Sequence, residues 1–250
     1  MALTIDLAGR VALVTGGGRG VGRGITDRLL AAGATVAVAA RTAPDDPPAG
    51  VTFHAADVRD PEAAPGLVAS VLDAHGRLDL LVNNAGGSPS VAAADASPRF
   101  STRIVELNLL SALHLSTAAR AALADAGGSV VNITSLSGAR PSPGTAAYGA
   151  AKAGLLNLTR TLAMEWAPAV RVNAVSPGMV RTELFDEYYG GADGAAAAEA
   201  TVPMGRAASP AEVGDAVVFL ASPLAAYVTG ADIPVHGGGE AIALHTILGH

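Results

Sequence analysis

No cysteine occurs anywhere in the 250 residues. That excludes disulfides, thiolate metal centres and thiol redox switching, and it fits a reducing, cytoplasmic setting. Aromatic side chains are scarce, at 4% of the chain, while apolar residues make up 50%. A core must therefore be built from Ala, Val and Leu, whose small volumes suit close packing of helices on a sheet. Charged residues are also sparse, 15% with a formal net charge of −6. The scattered arginines form no basic stripe for nucleic acid and no polybasic anchor for a membrane, so neither partner is expected. No uninterrupted apolar run reaches about 18 residues, and the opening MALTIDLAGR lacks the charged and apolar regions of a secretion signal. One α/β domain can absorb this length, and the whole span 1–250 is expected to be a single domain.

Strand-like and helix-like stretches alternate along the chain. Strands are expected at Val11–Thr15, 35–39, Val51–Ala55, 78–83, 129–134, 171–175 and Asp232–Val235. Helices are expected at 20–32, 61–75, 97–124, 148–166 and Pro210–Ala221, the long third one opened by Ser97-Pro98 in the capping and first-turn positions. The strand runs are continuously apolar, which suits parallel strands buried on both faces. Alternating βα units then imply a doubly wound sheet with right-handed crossovers. Segments 41–50, rich in Pro and Asp, and 180–204, with Gly190-Gly191 and an Ala run, are expected to be loops, the second long enough to act as a lid.

Two clusters carry chemistry. Thr15-Gly16-Gly17-Gly18-Arg19-Gly20-Val21-Gly22 follows the first strand directly. Its glycines let the backbone turn sharply and bring a pyrophosphate to the N-terminus of the next helix, where free N–H groups favour anions. The spacing is not G-x-G-x-x-G in any register, and a glycine-rich surface turn remains open on these residues alone. Downstream, Tyr148 and Lys152 stand four apart, on one face of a helix, with Ser135 thirteen residues before Tyr148. A cation beside a phenol stabilises the phenolate and lowers a pKa that starts near about 10. This is acid–base machinery for a carbonyl or carbinol, and with a nucleotide site it points to hydride transfer.

Taken together, Thr15-Gly16-x-x-x-Gly20-x-Gly22, Asp57-Val58, Asn83-Asn84-Ala85-Gly86, Asn108, Ser135, Tyr148-x-x-x-Lys152, Asn173 and Pro177-Gly178 resemble, in order and spacing, the short-chain dehydrogenases/reductases. The branch is similar to 3-oxoacyl-carrier-protein reductases. The resemblance implies a Rossmann-like, seven-stranded parallel sheet with helices on both faces, a nicotinamide coenzyme and a homotetramer. It divides the chain into a dinucleotide-binding part at about 7–135, a catalytic and substrate part at about 135–238 and a tail, 239–250. It implies that Tyr148 is the general acid/base, that Lys152 depresses its pKa and binds the nicotinamide ribose, that Ser135 orients the substrate oxygen and that Asn108 holds a water. Coenzyme contacts are implied at Gly16, Gly20, Val21, Gly22, Asp57, Val58, Asn83, Ala85, Gly86, Pro177, Gly178, Val180 and Thr182.

Coenzyme choice turns on the end of the second strand. An NAD-selective site carries a carboxylate there for the ribose 2′-hydroxyl; this chain has Ala39-Ala40-Arg41-Thr42. Arg41 and Arg19 could grip a 2′-phosphate, so NADP(H) is preferred and NAD(H) stays possible, with Asp45 and Asp46 close enough to weaken the preference. An NAD-dependent alcohol or hydroxysteroid dehydrogenase and a catalytically silent dinucleotide sensor remain alternatives. His236 stands where the family has Asp-Gly-Gly and reads as a loop residue. Ile242, Leu244, Ile247 and Leu248 make an apolar tail expected to pack on a partner chain, and Phe185, Tyr188, Tyr189 and Met204 point to a moderately apolar ketone or secondary alcohol. No metal is expected.

Overall fold

The computed structural model describes residues 4–44 and 46–240. Seven strands, β1 (Val11–Thr15), β2 (Thr35–Ala40), β3 (Val51–Ala55), β4 (Leu80–Asn83), β5 (Ser129–Ile133), β6 (Arg171–Pro177) and β7 (Asp232–Val235), form one sheet in the order β3-β2-β1-β4-β5-β6-β7. Every pairing is parallel. Around the sheet lie α1 (Gly20–Ala31), α2 (Ala63–His75), α3 (Pro98–Val105), α4 (Ser111–Ala126), α5 (Ala146–Trp166), α6 (Phe185–Tyr188), α7 (Ala192–Glu199) and α8 (Pro210–Ala221).

The strands are apolar throughout because successive side chains enter different cores. Val11 and Leu13 of β1 join Leu67, Leu115 and Leu162 from α2, α4 and α5. Ala12 and Val14, between them in sequence, join Ile25, Leu29, Val213 and Val217 from α1 and α8. Each fully buried Leu or Val contributes roughly 1.5–3 kcal/mol. Small residues let the second layer approach closely: a Cβ on Gly24 of α1 would stand 2.5 Å from the Pro210 carbonyl oxygen. The doubly wound, Rossmann-like seven-stranded sheet is thus as expected.

Several boundaries differ. The expected helix 97–124 is broken by a π-helical turn, Glu106–Leu110, between α3 and α4. Such turns insert one residue and redirect the side chains around it. Segment 180–204 is not irregular throughout, since it contains α6 and α7. Phe185, Ala195 and Ala207 form a small core of their own beneath it, and Arg181 ties Asp186 at 2.9 Å to Glu199 at 2.6 Å. Alanine's high helix propensity was the available signal. The tail 241–250 and Asp45 lie outside the described residues, and with them the expectation of a packed tail.

Because β1 leads to β2 on one side and has β4 on the other, the crossovers diverge above the C-terminal ends of these strands. In open α/β sheets that divergence is where ligands bind.

Candidate active site

The glycine turn leaves β1 at this divergence. Gly16 (φ +65°) and Gly20 (φ +53°) adopt left-handed backbone, and a Cβ on Gly22 would run into the Gly16 carbonyl and stand 2.6 Å from Asn84 Nδ2. Thr15 Oγ1 accepts from the Asn84 and Ala85 amides at 3.0 and 2.9 Å, and Asn84 Nδ2 donates to the Thr15 carbonyl at 2.8 Å. These bonds lock the ends of β1 and β4 together. Above them, the Gly20 amide opening α1 donates to Glu183 Oε1 at 3.2 Å. A carboxylate already satisfies an amide at the helix N-terminus, so the turn receives anions as the chemistry of that end requires. The cradle and its donors fit a dinucleotide pyrophosphate. Thr182 lies over the same turn, its Cγ2 3.5 Å from where a Gly20 Cβ would be.

At the end of β2, the Ala39 carbonyl accepts from the Gly16 amide at 2.7 Å, so the segment beginning at Arg41 starts beside the glycine turn. Pro44 from that segment abuts Gly18. Arg19 and Arg41 are both exposed at this edge. Asp57 is held in a pair with Arg59 at 2.5 Å. Its carboxyl lies below the usual range because Arg59 bonds it, with a further contribution from the charge of Arg41.

Tyr148 and Lys152 share one face of α5, with Lys152 Nζ 5.6 Å from the centre of the Tyr148 ring. Lys152 is 3% exposed, and its Nζ donates to the Ile133 carbonyl, at the end of β5, at 2.8 Å. Burial lowers its pKa to about 8. Burial also pushes the Tyr148 phenol up; a hydrogen bond with Ser135 lowers it, and nearby Tyr188 raises it. In the chain without coenzyme, burial sets the direction of the phenol's shift. The ammonium is aimed at a strand carbonyl, and desolvation dominates both groups. Ser135 follows β5 in extended backbone, its Oγ accepting from the Ser137 amide at 3.1 Å.

Asn108 sits in the π-helical turn and is buried. Its Oδ1 accepts from the Gly87 amide at 2.8 Å, and its Nδ2 donates to the Gly87 and Ile104 carbonyls at 2.9 Å each. It pins the loop after β4. A Cβ on Gly86 would stand 2.6 Å from Asn108 Oδ1 and 3.2 Å from Lys152 Nζ. The Asn83 side chain turns into the sheet, donating to Ser116 Oγ at 2.9 Å and Asn132 Oδ1 at 2.8 Å. Any contact it makes with a coenzyme is through its backbone. Asn132 continues to Thr159 Oγ1 on α5 at 2.9 Å, completing a buried polar network that the residue types alone did not single out. Val58 is half-buried beside Asp57. Pro177 and Gly178 close β6, with His236 packed against Gly178; Val180 bridges to Ala208. Phe185 is buried against Tyr189, ring centres 4.7 Å apart, while Tyr188 and Met204 are exposed.

A family model described as enoyl-(acyl carrier protein) reductase matches residues 16–240. The chain is 36% identical over 247 residues to a 3-oxoacyl-(acyl-carrier-protein) reductase of Vibrio cholerae, covering 94% of this chain and 98% of the relative. It is 37% identical over 251 residues to the L-fucose dehydrogenase of Bos taurus, covering 96% and 93%. The ligand-free aldohexose dehydrogenase of Thermoplasma acidophilum superposes with a TM-score of 0.90 at 29% identity, over 94% of this chain and 96% of the other. Similarity this extensive, running through both the glycine turn and the Tyr148 helix, establishes that the chain belongs to the short-chain dehydrogenases/reductases, oxidoreductases of CH–OH groups.

Proposed function

We propose that this enzyme transfers hydride between NADP(H), preferred over NAD(H), and a ketone or secondary alcohol, with Tyr148 as acid and base. The observation that carries this reading is the convergence of Tyr148, Lys152 and Ser135 on the same end of the sheet as the glycine turn, with Lys152 Nζ closing over Gly86. A coenzyme bound in the crevice supplies or accepts the hydride. In reduction, Ser135 Oγ donates to the carbonyl oxygen, where negative charge develops. Tyr148 Oη then delivers the proton, and the raised phenol pKa keeps that proton in place at neutral pH. With a pKa of about 8, Lys152 is mostly charged at neutral pH and stabilises the phenolate left behind. Asn108 acts by positioning the Gly86-Gly87 loop.

The 2′-phosphate is assigned to Arg41 and Arg19, the exposed cations on either side of the glycine turn's outer edge. The competing, NAD-dependent reading is favoured by Asp57, a carboxylate near enough to feel the charge of Arg41 and therefore to repel a 2′-phosphate held there. Exposed Tyr188 and Met204 suit a substrate with a moderately apolar body. The assembly proposed is the homotetramer that the family resemblance implies, and Met164, 85% exposed on α5, is an apolar side chain open to a subunit contact. No helix among the described residues is long and apolar enough to cross a membrane, and the cysteine-free composition supports a cytoplasmic location.

A panel of ketones and alcohols with each coenzyme, followed at the nicotinamide absorbance, tests the reading. Tyr148→Phe should lose at least about a hundredfold in turnover, within the roughly 10²–10⁴-fold that acid–base catalysis supplies, while coenzyme affinity is kept. Coenzyme binding without turnover on any member of the panel would instead favour a silent sensor.

A further inference from the structure

We infer that a cavity at the N-terminal edge of the sheet binds a small carboxylate carrying an apolar body, at a site separate from the nicotinamide and carbonyl chemistry. The cavity holds about 290 Å³ and is lined by Arg10, Asp79 and Arg171 together with Leu7, Leu29 and Leu80. Arg10 immediately precedes β1, Asp79 immediately precedes β4, and Arg171 begins β6. The glycine turn, Lys152 and Ser135 belong to the other ends of these strands, roughly 16 Å away for five residues at about 3.3 Å each.

The charge there is unbalanced. Asp79 is saturated: it accepts from Arg10 at 2.9 Å, from Arg77 at 2.7 and 2.8 Å and from the Val11 amide at 2.9 Å. Burial pushes its carboxyl up, but these donors outweigh burial and hold it below the usual range. Arg171 has no carboxylate partner among the described residues; its side chain reaches only the Val228 carbonyl, at 3.4 Å. Burial and the charge of Arg10 both push its guanidinium pKa down, which places two like charges close together in one cavity. A monoanion at this spot would neutralise the guanidinium that Asp79 leaves unpaired. The exposed apolar surface of Pro168, Pro223 and Ala226 in the same lining then favours a carboxylate with an apolar body over a bare inorganic anion. The volume corresponds to about ten waters at about 30 Å³ each, room for a body of roughly that many non-hydrogen atoms.

The test is calorimetric titration of the full chain with 3-phenylpropionate, its neutral twin 3-phenylpropanol and inorganic phosphate, with and without NADPH. The acid should bind saturably and with the same affinity in both conditions, the alcohol and phosphate at least about tenfold more weakly. Arg171→Gln should weaken acid binding by at least about tenfold and leave turnover within about twofold. Ala226→Trp, at an exposed lining position, keeps both guanidiniums and should abolish binding by filling the space. Equal binding of acid and alcohol, competition with NADPH, or unchanged affinity in Ala226→Trp would overturn the inference, and so would the absence of saturation by about 10 mM.

Discussion

Lys152 is a basic side chain held where a charge is costly. Its pKa of about 8 in the folded chain stands against an ordinary value of 10.5. Between those values the unfolded chain binds the proton and the folded chain does not, so stability should rise with pH across that window. Below it, the folded chain carries a buried ammonium whose one acceptor among the described residues is the Ile133 carbonyl. Lys152→Met should therefore raise the denaturation midpoint of the coenzyme-free chain at pH 7, and the gain should shrink by pH 10. The same variant should lose turnover, the expected exchange between stability and activity at a strained site. A midpoint that falls on this substitution would show that the ammonium is a net stabiliser. Arg41 makes the other residue-level prediction. Charge-assisted bonds to phosphate contribute about 1.5–3 kcal/mol, less with exposure, so Arg41→Ala should raise the KM for NADPH roughly tenfold. NADH kinetics should stay nearly constant, and the NADPH effect should weaken at high salt. An unchanged NADPH constant would make Arg41 a solvated surface charge.

At the scale of elements, the segment after β6 and the start of α1 are coupled by a hydrogen bond. Glu183 follows Thr182 out of β6 and accepts from the Gly20 amide, at the position where a pyrophosphate would be received. A dinucleotide must displace that carboxylate, and the two negative groups repel. Glu183→Gln removes the charge and keeps the side chain's length. It should tighten coenzyme binding severalfold, read by titration of NADPH into wild type and variant, with a larger effect at low salt. Weaker binding would mean that Glu183 instead helps close the segment over the bound coenzyme. Elsewhere, side chains tie element ends together. Ser209 and Glu212 form a reciprocal capping box on α8, and the Arg28–Asp215 pair at 2.5 Å joins α8 to α1. The segment carrying α6 and α7 packs on a small core separate from the two main ones.

For the whole molecule, the proposed tetramer should give light-scattering mass four times that of the chain. Truncation after Gly239 removes Ile242, Leu244, Ile247 and Leu248 together with Glu240, which pairs with Arg140 on the loop between Ser135 and Tyr148. It should therefore shift the mass distribution towards smaller species or raise the substrate KM. Unchanged mass and unchanged kinetics together would remove any role for the tail.

What the sequence determined by itself follows from covalent spacing and local periodicity. The continuous apolar strands, the glycines leaving the first of them and the four-residue step from Tyr148 to Lys152 needed no partner to be legible, and the family resemblance rests on the same residues. Other features come from partners far along the chain. Gly20 and Glu183 are separated by 163 residues, and Asn83 turns inward because Asn132, 49 residues on, accepts its amide proton. Arg10, Asp79 and Arg171 line one cavity only because parallel strands bring their starts to one edge. The direction of the pKa shifts at Tyr148 and Lys152 was likewise decided by tertiary structure. Spacing makes them neighbours, but burial sets the cost of charge, and burial is a property of the packed sheet and helices.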